Sequence, residues 1–135
     1  MEQIYFLSIV CNCLAGFVLV ADHLSEKIAS LKIFTGFFKN LGVRVILAFF
    51  VILVALIKLV WPFNGIPFLG DLLPMLTGLV LGFTLLYDFL RNRSDVHTQT
   101  MVILDKIFIN NKYLLGIAAF IISFIHFWFP GAIVF

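Results

Sequence analysis

At 135 residues the chain has room for one compact domain, and 63% of those residues are hydrophobic while only 12% are charged. A mean hydropathy of +1.16 carries more apolar surface than a soluble fold of this size can bury, which excludes a water-soluble globule. The formal charge of +2, with no cluster of basic residues, offers no footprint for nucleic acid.

Four apolar runs stand out: Ile4–Val20, Val43–Val60, Leu72–Phe89 and Tyr113–Phe129. At about 1.5 Å of rise per residue, each comes close to crossing a hydrocarbon layer of roughly 30 Å. The expected fold class is therefore an all-α membrane protein. Its four transmembrane helices form two tandem parallel two-helix hairpins, with short interfacial helices in the cytoplasmic connections.

The first run follows Glu2 without any Lys or Arg, so it lacks the basic lead-in of a secretory signal and reads as a retained helix. It holds the only two cysteines, Cys11 and Cys13. On a helix their side chains point about 200° apart, which suits packing rather than a disulfide or a shared metal. Ser8, Asn12 and Gly16 form one small, polar stripe along this helix.

The connection after it, residues 21–42, repeats Ile28, Leu31, Phe34, Phe38 and Leu41 at helical spacing, with Lys27, Lys32 and Lys39 elsewhere. Ser25 is the expected N-cap, and Glu26 suits the positive end of the dipole. This pattern predicts an interfacial helix over 25–41, or equally one packed over the bundle end. The second long run is apolar from Val45 to Ile57 and carries Lys58 one turn before its end.

Residues 61–71 form a connection rich in Pro and Gly with aromatic anchors, and Asp71 is the expected cap of the third helix. That helix offers Gly78 and Gly82 in a G-x-x-x-G spacing. Gly16, Gly78 and Gly82 are expected packing positions where the first and third spans meet each other or a partner. A second amphipathic stretch, 98–109, sets Met101, Leu104 and Phe108 in register, with Asp105 and Lys106 polar. The last run carries His126.

Lys27, Lys32, Lys39 and Arg44 cluster in or beside the first connection, and Arg91, Arg93, Lys106 and Lys112 in or beside the third. Residues 61–71 have no Lys or Arg. The positive-inside rule therefore predicts both termini on the non-cytoplasmic side of a bacterial inner membrane or an organelle or plasma membrane.

The chain also aligns with itself at an offset of 66 residues. Gly16 to Leu24 matches Gly82 to Leu90 at five of nine positions, Asp22 against Asp88 among them. After a small gap, Lys58 aligns with His126, each four residues before a proline. The expected organisation is one transmembrane domain, 1–135, built from hairpin repeats 1–66 and 67–135. Two spans per repeat make the halves parallel.

Ionisable groups in apolar spans are the natural candidates for function. Asp22, Asp88 and Asn12 form a candidate ion, proton or interhelical polar site. Structural pairing of the aspartates with Arg44, Arg91 or Arg93 is the simpler expectation. Lys58 and His126 form a candidate outward basic pair, against the simpler expectation that Lys58 snorkels to the headgroups.

No catalytic set, phosphate loop or metal motif is readable, and His23 and His97 supply no haem or zinc site; no enzyme activity and no cofactor are expected. The expected partners are the lipid bilayer and other membrane-protein subunits or copies of the chain, with no nucleic acid. The preferred reading is a structural or accessory subunit of a larger membrane complex. The alternative is a homo-oligomeric channel or transporter for a small ion or solute.

Overall fold

The computed structural model describes residues 2–25, 27–38, 40–60, 72–94 and 98–129, the side chains of Glu2, Phe34 and Leu41 excepted. Every element in these segments is helical: α1 (Glu2–Leu24), α2 (Leu31–Phe38), α3 (Leu41–Val60), α4 (Leu72–Arg91), α5 (Gln99–Leu104), a π-helical turn (Asp105–Ile109) and α6 (Lys112–Trp128). Three of them, α1, α3 and α4, are long and apolar enough to cross a membrane.

The fourth span differs from the expected straight helix. With 17 residues, α6 rises about 26 Å, short of a hydrocarbon core of roughly 30 Å. It reaches spanning length only with α5 and the π turn, from which it is bent by 44°. Asn111 explains the break: its side-chain amide donates to the carbonyls of Lys106 (2.9 Å) and Ile107 (3.3 Å) instead of capping α6. The π turn also shifts the register of residues 105–109, so Asp105 faces α4 rather than solvent.

The first connection also departs from expectation. Ser25 ends α1 and does not start a helix. Its amide donates to the Ala21 carbonyl (2.8 Å) and its hydroxyl to that of Asp22 (3.1 Å), satisfying acceptors that a helix end leaves open. Tight turns follow, and α2 begins only at Leu31. The N-cap signal lies at Asn40, whose side-chain oxygen accepts from Gly42 N–H (3.1 Å) in the first turn of α3. The expected roles of Glu26, Lys39, Asp71, His97 and the 61–71 connection fall outside the described residues.

The most extensive helix pairs are α3 with α4 and α1 with α6, while α1 also crosses α3 and α4. Helices therefore pack more intimately across the two expected hairpins than within them. Small residues allow this. A Cβ on Gly116 of α6 would stand 2.7 Å from the Gly16 carbonyl oxygen of α1. One on Gly82 of α4 would stand 3.1 Å from the Ala48 oxygen of α3. Backbones this close gain dispersion contacts where lipid supplies no hydrophobic drive between helices.

The centre is filled by Val18 and Leu19 of α1, Ala48 and Val51 of α3, Leu81 and Leu85 of α4 and Ala119 of α6. The outer faces carry Phe6, Ile46, Phe49, Leu53, Phe83, Leu114, Ile121 and Phe124, all exposed. Large apolar residues on the outer faces are what a lipid surrounding would favour.

Candidate functional site

The ionisable residues of the bundle gather at its two ends. At one end α1 and α4 close with Asp22 and Asp88 in their last turns, while α3 and α6 open with Arg44 and Lys112. The Arg44 guanidinium joins both carboxylates: Nη1 donates to Asp88 Oδ2 at 2.8 Å and Nη2 to Asp22 Oδ1. Its Nε donates to the Phe38 carbonyl at 2.6 Å, tying in the end of α2. Lys112 Nζ stands 3.9 Å from Asp22 Oδ2 and 4.0 Å from Asp88 Oδ1.

Two anions and two cations thus balance. The side chains of Arg44, Asp22 and Asp88 are about nine-tenths buried. A carboxylate at a helix C-terminus meets the unfavourable end of the dipole, and here the guanidinium offsets it. Of the three arginines near this end, Arg44 takes both aspartates. Arg91 instead binds Asp105 (Nε to Oδ2, 3.0 Å), which also accepts the Tyr87 hydroxyl at 2.7 Å. Arg93 lies over the Phe89 ring, 4.7 Å from its centroid.

At the other end, Lys58 does not snorkel outward. It is 2% exposed and points at His126, itself fully buried, with Nζ 3.1 Å from Nε2. Tyr5 of α1 packs beside both. Its ring centroid is 4.6 Å from that of His126 and 5.4 Å from Lys58 Nζ, and its hydroxyl donates to the His126 carbonyl.

Between the ends, Asn12 donates from Nδ2 to the Pro74 carbonyl at 3.0 Å and lies against Gly78, joining α1 to α4. Gly16 and Gly82 turn to other neighbours: Gly16 faces Gly116 and Ala119 of α6, and Gly82 faces Ala48 and Ile52 of α3. The first and third spans therefore meet at Asn12 and Gly78, not along the whole small-residue stripe. Cys11 and Cys13 are free thiols. Among the described residues, no group of three or more His, Cys, Asp or Glu could hold a metal ion.

Sequence reasoning missed Lys112 as a member of the charged cluster, although it lies as far beyond Arg44 as His126 lies beyond Lys58, 68 residues in each case. It also missed the Tyr87–Asp105–Arg91 link, for which helical periodicity gave no signal because a π turn intervenes.

No curated protein and no solved structure matches the chain. A protein-family model matches residues 1–126, a match that carries no statement of activity, and the chain belongs to that family.

Proposed function

We propose that the protein is an integral membrane protein of four spans that serves as a structural or accessory subunit of a larger membrane complex. The observation that carries this reading is the internal use of its charges. Asp22, Asp88, Arg44 and Lys112 satisfy one another inside the bundle, and Leu19, Leu81 and Leu85 close the centre between its two charged ends. The outer faces of the long helices are apolar, including a groove on α3 lined by Val45, Ile46, Phe49, Phe50 and Leu53. A surface of this kind suits lipid and neighbouring helices.

The duplication belongs to the same reading. Residues equivalent by the internal alignment meet in pairs: Lys58 touches His126, and Asp22 and Asp88 share Arg44. The offset of 68 that relates Lys58 to His126 also relates Arg44 to Lys112, Ala48 to Gly116 and Val51 to Ala119. In every one of these pairs both members face the interior of the bundle. The packing of α1 on α6 and of α4 on α3 is what a pseudo-two-fold axis through the α1–α4 crossing would give. Lys27, Lys32, Arg44, Arg91, Arg93, Lys106 and Lys112 belong to the Asp22 end, which supports placing that end in the cytoplasm and both termini outside.

The test is the mass of the particle after mild detergent extraction from the native membrane, with each co-purifying chain identified. Stoichiometric foreign subunits are expected. A homo-oligomer without other proteins would sink the accessory reading in favour of a channel or transporter, whose path would then run between copies.

A further inference from the structure

We propose that α2 and the α5–π segment form a docking surface for acidic phospholipid headgroups on the Asp22 side of the bilayer. This deepens the membrane-spanning reading, on which it rests, and holds whichever complex the protein joins. Both segments are tied to the level at which the spans end. The Arg44 guanidinium, which holds Asp22 and Asp88, also donates from Nε to the Phe38 carbonyl at the close of α2 (2.6 Å). On the α4 side, the Tyr87 hydroxyl donates to the Asp105 carboxylate (2.7 Å) and lies 3.3 Å from the Met101 carbonyl oxygen, while Arg91 binds the same carboxylate at 3.0 Å. Where spans end, a bilayer presents its headgroup layer.

The exposed side chains of the two segments mix cations with apolar groups. Before and along α2, Lys27, Ile28, Lys32, Ile33 and Phe37 are exposed, Ile33 by 81% and Phe37 by 65%. Along α5 and the π turn, Val102, Ile103, Lys106 and Ile107 are exposed. The charge offered outward has one sign. Lys27, Lys32, Arg93 and Lys106 are exposed, whereas Asp22, Asp88 and Asp105 are held by Arg44, Lys112 and Arg91, and among the described residues no Asp or Glu is exposed. A water-soluble acidic protein would match the charge alone. A layer of acidic phospholipids matches both features: phosphates meet the cations, while Ile33, Phe37, Ile103 and Ile107 enter the acyl boundary beneath them. Long lysine stems allow this division, because their methylenes lie along apolar side chains while the ammonium groups reach the phosphates.

The test is electron spin resonance of the full chain in phosphatidylcholine bilayers that carry a trace of spin-labelled phosphatidylglycerol or spin-labelled phosphatidylcholine. A spanning chain slows the lipids that touch it whatever their headgroup, so the slowed fraction of labelled phosphatidylcholine reads the spanning itself. Labelled phosphatidylglycerol is expected to be favoured in that fraction by about fivefold at low salt, the preference shrinking at about 1 M salt. Replacement of Lys27, Lys32, Arg93 and Lys106 by glutamine should at least halve it, with the slowed phosphatidylcholine fraction unchanged. Equal association of the two lipids in the native chain, a preference indifferent to salt, or one that the substitutions reduce by less than half overturns the proposal while the spans stand. No slowed fraction with either lipid overturns both.

A second measurement leaves the cations in place. Spin labels at Ile33 and Ile103, in a background with Cys11 and Cys13 replaced by alanine, are read in bilayers of phosphatidylcholine and phosphatidylglycerol. Oxygen, which concentrates in the acyl layer, is expected to relax both labels more than a water-soluble nickel chelate does. Stronger relaxation by the chelate at either site would assign the surface to a water-soluble partner and overturn the lipid assignment.

Discussion

Asp22 and Asp88, set 66 residues apart in the chain, are gripped by one guanidinium, that of Arg44. Each carboxylate ends a different helix, and the arginine starts a third. The connection therefore fixes the rotation of α1, α3 and α4 about their axes at one end of the bundle. Lys112 adds the fourth helix, at the longer range of 3.9–4.0 Å.

This geometry predicts an unequal response to mutation. Arg44→Met leaves two buried carboxylates with Lys112 as their one remaining ion-pair partner among the described residues, so destabilisation of about 3–5 kcal/mol is expected. Asp22→Asn should cost less, because Arg44 retains Asp88 and its contact with Phe38. Unfolding in mixed micelles, followed by circular dichroism, checks the order. An Asp22→Asn protein less stable than Arg44→Met would contradict it.

Close approach at the α1–α6 crossing makes Gly116 intolerant of a methyl group. In Gly116→Ala the new Cβ meets the Gly16 carbonyl oxygen at 2.7 Å, an atom that moves only with its helix. A loss of about 1–3 kcal/mol follows from overpacking. Gly36 in α2 has nothing within 4 Å of the equivalent point, so Gly36→Ala should be neutral or stabilise the helix by up to about 1 kcal/mol. Thermal denaturation of the two variants side by side decides whether packing or propensity governs each glycine.

Asn12 holds α1 to α4 in the middle of the apolar layer through the Pro74 carbonyl. Hydrogen bonds of this kind between spans contribute about 0.6–2 kcal/mol, so Asn12→Ala should lower stability by that order while the fold persists. Because Gly78 sits against the Asn12 side-chain oxygen, Gly78→Leu should be the more damaging change. Retention of native stability in Gly78→Leu, measured by steric trapping in bicelles, would mean that the α1–α4 contact is not formed.

Asp105 anchors the π turn to α4 through Arg91 and Tyr87. With side chains 20% and 28% exposed, the Arg91–Asp105 pair is partly screened by water, and Asp105→Ala should cost only about 1 kcal/mol globally. The local effect should be larger. Amide exchange across residues 99–109 is expected to accelerate in Asp105→Ala and less so in Tyr87→Phe. Equal protection in all three proteins would remove Asp105 as the anchor.

Much of the fold was legible in the sequence, and particular residues show where legibility stopped. The spans of α1, α3 and α4 follow from apolar run length, although α1 continues past Val20 to Leu24 because helical hydrogen bonding does not end where hydropathy does. The aligned aspartates pointed to a common site. Their choice of Arg44 over Arg91 or Arg93 was not readable, since all three lie near the same end and differ only in where the backbone aims them. Snorkelling was the simpler expectation for Lys58, yet its side chain turns inward to His126. The interfacial helix was misplaced because Ser25 can satisfy either a helix start or a helix end.

The sequence by itself determined that the chain carries apolar runs about long enough to cross a bilayer, and that those runs are helices. Those properties are local or additive: the hydrocarbon core demands apolar side chains and internally bonded backbone at every position along a span. Only the tertiary structure decided that α1 packs on α6 and α3 on α4, that Arg44 joins two aspartates, and that Lys58 is buried against His126. Helices that are apolar nearly all round give no sequence signal of which face turns inward. That choice is made by backbone approach at residues such as Gly16, Gly82 and Gly116, and by the need of each charge for a partner once water is gone.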